Sequence, residues 1–254
     1  MAHVFKDDKG VSFSYHGIPI AKGEVNSYTM EHKFGNNEAV GATEVTLWTG
    51  TSSLYTYPGS CMPMKVTSTL SADGAGNTGA NVVTVAGLDE NYNLQQETVV
   101  LSGQNPITTV NCYCRIFRAQ VNSAGTGESN AGEIWVGGGT VTAGVPADKF
   151  GHIAVGQNQS LMALWTVPES HSAYLLSLSA SSSKNKGVNY KLFARPFGEV
   201  FQVKLHQHLF QETSDIHFPV PRKFAAKTDL EIRAVSDGIN TEVSAEMDIV
   251  VIAE

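Results

Sequence analysis

The last third of the chain alternates apolar and polar residues with a period of two. Phe201, Val203 and Leu205 fall on one side, with Gln202, Lys204 and His206 on the other. Leu230, Ile232 and Ala234 alternate with Asp229, Glu231 and Arg233. Val243, Ala245, Met247, Ile249 and Val251 alternate with Glu242, Ser244, Glu246 and Asp248. Successive side chains of a strand point to opposite sides, so each run predicts a strand with one buried and one solvated face. Strands of a buried parallel sheet are apolar on both faces, so the pattern predicts antiparallel sandwich sheets instead.

Up to eight such strands fit between residues 150 and 254, separated by turns at Pro168, Lys184–Gly187, Pro196–Gly198, Pro219–Pro221 and Asp237–Asn240. That spacing predicts a jelly roll or related Greek-key sandwich. Residues 38–137 read the same way, with strands over Thr43–Trp48, Met64–Leu70, Ile107–Val110, Cys112–Val121 and Glu133–Val136, and a hairpin around GLDENYNLQ. The Gly/Pro-rich stretch GGGTVTAGVPAD predicts a linker at 138–149 between the two domains. Residues 1–37 lack a sustained pattern yet carry five aromatics, many for a solvated tail. They are expected to form an extended N-terminal arm that adds its strand to a neighbouring subunit, with Phe13, Tyr15 and Tyr28 as the intersubunit contacts. The expected fold is all-β: two tandem antiparallel β-sandwich, jelly-roll-like domains preceded by that arm.

Charged residues make up only 16% of the 254, below the roughly 25% of ordinary globular chains. Such a surface suits a protein packed against copies of itself. A net charge of −7 disfavours a nucleic-acid partner held through phosphates. No apolar run approaches the ~20 residues of a membrane span, and the N-terminus shows no signal core. Cys112 and Cys114, two apart on one strand, would bridge only with strain. With Cys61 they are read as small core residues of a protein made in a reducing cytosol.

No motif forces a chemistry. His206 and His208 share a strand face, and with Glu212 they give the spacing His-x-His-x3-Glu. Two such histidines and a carboxylate can bind one metal. The spacing resembles the first metal motif of the cupins, but Val200 and Pro219 stand where glycines are expected and the second motif is absent, so no metal is assigned. Gly74, Gly76 and Gly79 match a dinucleotide fingerprint without the helix that must follow it. Asp89, Asn91 and Asn93 mimic a calcium loop, but Leu94 and Val100 occupy its glycine and glutamate positions. These two stretches are read as a flexible loop and a hairpin tip. Trp48, Trp135 and Trp165 lie in apolar runs and are read as core rather than as a sugar-stacking platform. A Ser/His/Asp triad assembles in space and has no signature here. No catalytic residue and no cofactor is expected.

Several phrases resemble a family of virion structural proteins of tailed phages, especially those of aquatic bacteria: VTLWTGTSSLYTYP, TVAGLDENYNLQQETVVLSG, NQSLMALWTVPESHSAYLLSL, FARPFGEVFQVK and KTDLEIRAVSDGINTEVSAEMDIVVIAE. The resemblance covers roughly residues 40 to 254 and transfers no functional residue. It implies a non-enzymatic particle component made in the bacterial host cytoplasm and located in the virion. A capsid decoration or cement protein, or another head- or neck-associated one, would be a homo-oligomer whose partners are its own copies and the major capsid, neck or tail proteins. The competing expectations are a tail- or fibre-associated module that binds host surface glycans, and a cupin-like metalloenzyme at HQHLFQE.

Overall fold

The structure, a computed structural model, describes residues 5–6, 12–13, 17–183, 187–210, 213–238 and 240–254. In chain order the elements are β1 (Phe5–Lys6), β2 (Ser12–Phe13), α1 (Gly17–Ala21), β3 (Tyr28–Val40), β4 (Val45–Thr46), β5 (Met62–Ser68), β6 (Ala80–Leu88), β7 (Leu94–Val100), β8 (Ile107–Tyr113) and β9 (Arg115–Ala124). Next come β10 (Ile134–Thr142), β11 (Val145–Ile153), β12 (Leu164–Thr166), β13 (His171–Ser182), β14 (Gly187–Arg195), β15 (Gln202–Phe210), β16 (Ser214–Phe224), β17 (Asp229–Ser236) and β18 (Thr241–Ala253). The chain is all-β, with one five-residue helix among the described residues.

The strands do not follow one another as two tandem units. β3 lies at the edge of the sheet β16-β13-β18-β3, and β4 pairs β17 beside the sheet β12-β17-β14-β15. Side chains from these sheets share one core, including Leu47, Trp48, Leu175, Leu192, Ile232 and Met247. The sheets β11-β10-β5-β8 and β7-β6-β9 share a second core around Met64, Val66, Val83, Val85, Ile134 and Ile153. The chain therefore begins in one body, builds the other from about residue 49 to 160, and returns. Phe117 of β9, Leu88 of β6 and the nearby Tyr55 pack into the first core and weld the seam.

Two expected boundaries are thereby corrected. Residues 28–37 are no arm: they pair with the C-terminal strand over the register Tyr28↔Ile252 to Asn37↔Val243. The 138–149 linker is the β10–β11 hairpin. Its glycines serve close approach, since a Cβ on Gly137 would meet the Asp148 carbonyl 2.0 Å away, and Ala143 and Gly144 turn the chain with positive φ. A glycine run looks flexible in sequence whether it is solvated or tightly packed.

The alternation in β17 and β18 is seen as expected on the apolar side, where Leu230, Ile232, Val243, Ala245, Met247 and Ile249 are buried. In β15 it fails midway. A register shift at Leu192/Phe193 sets Leu205 opposite Leu192 but Val203 opposite Phe193, and Val203 turns out to solvent. An extra residue in one strand reverses the facing of every residue beyond it. The three tryptophans are buried. The expected hairpin is β6–β7, and Asp89 at its tip accepts from the amides of Asn91 and Asn93. Cys61 and Cys114 are bonded to each other, with Cα atoms 4.2 Å apart, whereas Cys112 is exposed. This corrects the reading of three separate core thiols: a bend at Cys114 removes it from the strand face of Cys112 and sets it against the chain entering β5.

Candidate functional site

The seam between the two bodies opens into a cleft of about 700 Å³. Its walls are the Tyr55–Gly59 segment, the β6–β7 tip with Tyr92, Arg115 at the start of β9, and the turn from Arg195 to Phe201. At its base lies Asp229, the first residue of β17 and buried.

The sequence pattern assigns Asp229, Glu231 and Arg233 to a solvated face. The inserted body covers that face, so both sides of β17 are out of water. Buried charges must be paired and hydrogen-bonded, and these are. Arg115 reaches Asp229 Oδ1 through Nε at 2.8 Å and Oδ2 through Nη2 at 3.2 Å. Arg195 donates to Oδ2 through Nε at 2.9 Å and Nη2 at 2.6 Å, and the Thr166 hydroxyl donates to Oδ1 at 2.6 Å. Glu231 accepts from the hydroxyls of Thr46 and Tyr57 and from Arg233 Nε at 2.9 Å. Burial works against the charge of Arg115, but its bonds to Asp229 outweigh that and hold its pKa above the ordinary arginine value. Burial, with the charges of Glu231 and Asp229 behind it, pushes the Tyr57 phenol well above its usual range.

Between these cations stand aromatic rings. Arg115 lies over Tyr57 and Tyr92, at 4.9 and 5.3 Å from the ring centres. Arg195 lies over Tyr57 and Phe201, at 4.7 and 4.5 Å, and Arg233 over Phe201 and Phe193, at 4.6 and 4.3 Å. Lys227, paired with Glu169 at 2.6 Å, continues the series over Tyr92 and Phe197. Tyr57, Tyr92 and Arg115 come from the insert, the others from the returning chain, so the ladder clasps one body to the other. The faces of Tyr57, Tyr92 and Phe201 are engaged by guanidinium or ammonium groups, which attract each ring's negative face. Phe197 at the rim is 63% exposed.

A second polar array lies on the open face of the sheet β16-β13-β18-β3. His217, Ser177, Asp248 and His32 stand in one transverse row. The Ser177 hydroxyl donates to Asp248 Oδ2 at 2.7 Å, and His32 Nδ1 lies 2.7 Å from Oδ1. Hydrolytic triads place the imidazole between serine and acid so that it takes the serine proton. Here the carboxylate stands between the serine and the imidazole, so the order is not that of such a triad.

The residues singled out in the sequence are scattered. His206 and His208 are exposed neighbours on β15, with ring centres 4.9 Å apart and Lys191 across from His206. Glu212 lies outside the described residues. Among the described residues no group of three His, Cys, Asp or Glu gathers closely enough to hold a metal ion. Phe13 pairs with Phe5 in the short β1–β2 ladder, and Tyr15 lies outside the described residues. Tyr28 is half-buried on its own sheet, in a groove with Ile20, Met30 and Tyr174, which corrects its assignment to a free arm. The clasp residues went unread because a solvated polar face and a covered one share the same alternation. The available signal was acid, acid and base on one strand face in a chain otherwise poor in charge.

No protein-family model matches the sequence, and no curated protein matches it. Solved structures overlap it weakly. The structure of the infectious bursal disease virus Gt strain aligns over 89% of this chain and 72% of its own, with 9% identity and a TM-score of 0.22. The Gx strain structure aligns over the same shares with 8% identity and a TM-score of 0.25. The crystal structure of that virus's VP2 subviral particle covers 90% and 72%, with 9% identity and a TM-score of 0.22. Overlap at these scores leaves the function to be argued from the chain's own residues.

Proposed function

We propose that the chain is a non-enzymatic structural subunit of a tailed-phage virion, a capsid decoration or cement protein or another head- or neck-associated component. It joins the particle through copies of itself and through capsid, neck or tail proteins. Each pair of sheets acts as a jelly-roll-like sandwich, and many weak contacts add up through multivalency. The observation that carries this reading is the clasp: the charged cleft at the seam has its cations paired with carboxylates and stacked on rings. Such a cleft holds two bodies rigid rather than turning over a substrate. The resemblance of several sequence phrases to virion structural proteins supports the same reading.

Mass spectrometry of washed, purified particles tests this directly. The chain should be present at a fixed copy number, and its absence would sink the proposal. A truncation probing the arm must stop at His16, because removal of the first 35 residues takes most of β3 with it. The glycan-binding alternative draws on exposed Phe197 at the cleft rim. It requires array hits that Phe197→Ala abolishes.

A further inference from the structure

The three-stranded sheet β7-β6-β9 buries its inner face in the second core; its outer face meets the first core at Leu88 and Phe117 but is exposed along β7, at Leu94, Gln96, Thr98 and Val100. Across the outer rows Val82–Val100–Ser123, Thr84–Thr98–Gln120 and Ala86–Gln96–Arg118, only Arg118 is ionisable. Its Nη2 is held by Glu31 Oε1 at 2.9 Å and by the His32 carbonyl at 2.7 Å. Glu97, the one acid of β7, is bonded to the amides of Val110 and Asn111 on β8. Leu94 and Val100 stand 57% and 52% exposed, and a groove of about 530 Å³ runs along the face past Ala86 and Phe117.

We propose that this face is where a second copy of the chain docks. The chain carries a net charge of −7, so two copies repel over most approaches. A two-fold contact places the same patch against itself, which an acidic or basic patch resists and an uncharged one allows. Threonine and glutamine side chains both donate and accept hydrogen bonds, so Thr98 and Gln96 match their own symmetry mates. Interface cores are depleted in charge in the same way. The inference rests on the reading of the chain as an assembling subunit and names the surface it uses.

The test is the mass of the full chain by light scattering over a concentration series, starting from 27.2 kDa for one copy. The expected result is a dimer or larger assembly that tightens with salt, as screening removes the repulsion. Leu94→Lys with Val100→Lys should weaken the dissociation constant at least tenfold, and Thr98→Arg is a second probe should that pair misfold. Val110→Lys, 89% exposed on β8 and off this face, should change nothing. Association that survives both face variants overturns the face and leaves the assembly reading standing. A wild-type monomer at every concentration also overturns the face; only its absence from particles as well removes the assembly reading.

Discussion

Two strands of the same body carry the same kind of sequence to opposite ends. In β17, Asp229 and Glu231 alternate with Leu230 and Ile232; in β18, Glu246 and Asp248 alternate with Met247 and Ile249. The carboxylates of β18 face solvent and meet His32, Ser177 and Ser179. Those of β17 are buried under the inserted body and held by three arginines. The alternation fixes that a strand has a polar face; whether that face meets water depends on what the rest of the chain lays over it. A surface ion pair contributes about 0–1 kcal/mol, whereas breaking a buried one costs about 3–5 kcal/mol because a charge is left unpaired.

The widest separation between the two strands should come from Asp229→Ala. It strands Arg115 and Arg195 at the seam and should lower stability by about 3–5 kcal/mol in urea denaturation. A loss below about 1 kcal/mol would mean the seam is wet and the clasp does not lock the bodies. Arg195→Ala should cost less, about 1.5–3 kcal/mol, because Arg115 still pairs with Asp229.

Lys33 tests the seam through pH. It is buried in β3, donates to the Phe117 carbonyl, and lies over the Phe117 ring at 5.3 Å. Burial and the nearby Arg118 charge lower its pKa from 10.5 to about 7, against a smaller pull from Glu31. Between those values the unfolded chain holds a proton that the folded one has released, so stability rises as pH climbs from 7 to 10.5. Lys33→Met should flatten that slope and raise stability at pH 7 by about 1–2 kcal/mol. An unchanged slope in the variant would show that Lys33 is solvated.

Much of the first body was legible, because its strands meet their neighbours within the body itself: Leu230 to Ala234 and Val243 to Val251 face the core that their alternation predicts. What was not legible depends on partners distant in sequence. Nothing around Tyr28 shows that residue 252 lies opposite it, and nothing around Cys61 points to Cys114. The bulge in β15 leaves no mark in composition, and it undoes the facing of Val203. Asp229 needs Arg115, 114 positions earlier and in the other body, to explain its burial.

Asp248→Asn gives the smallest expected effect and the sharpest check on the comparison. Burial alone would raise the Asp248 pKa, but hydrogen bonds from Ser177 and His32 and the His32 charge outweigh it and leave the pKa below the ordinary 3.8. A depressed carboxylate stabilises the fold above its unfolded pKa and loses that contribution as pH falls through the folded value. The variant should therefore match wild type within about 1 kcal/mol at pH 7, and the small gap should close as the pH is taken below 3.8. The same amide replacement at Asp229 keeps the size of the side chain but removes the charge between two arginines. If Asp248→Asn and Asp229→Asn cost the same at pH 7, burial by the insert is not what separates the two strands.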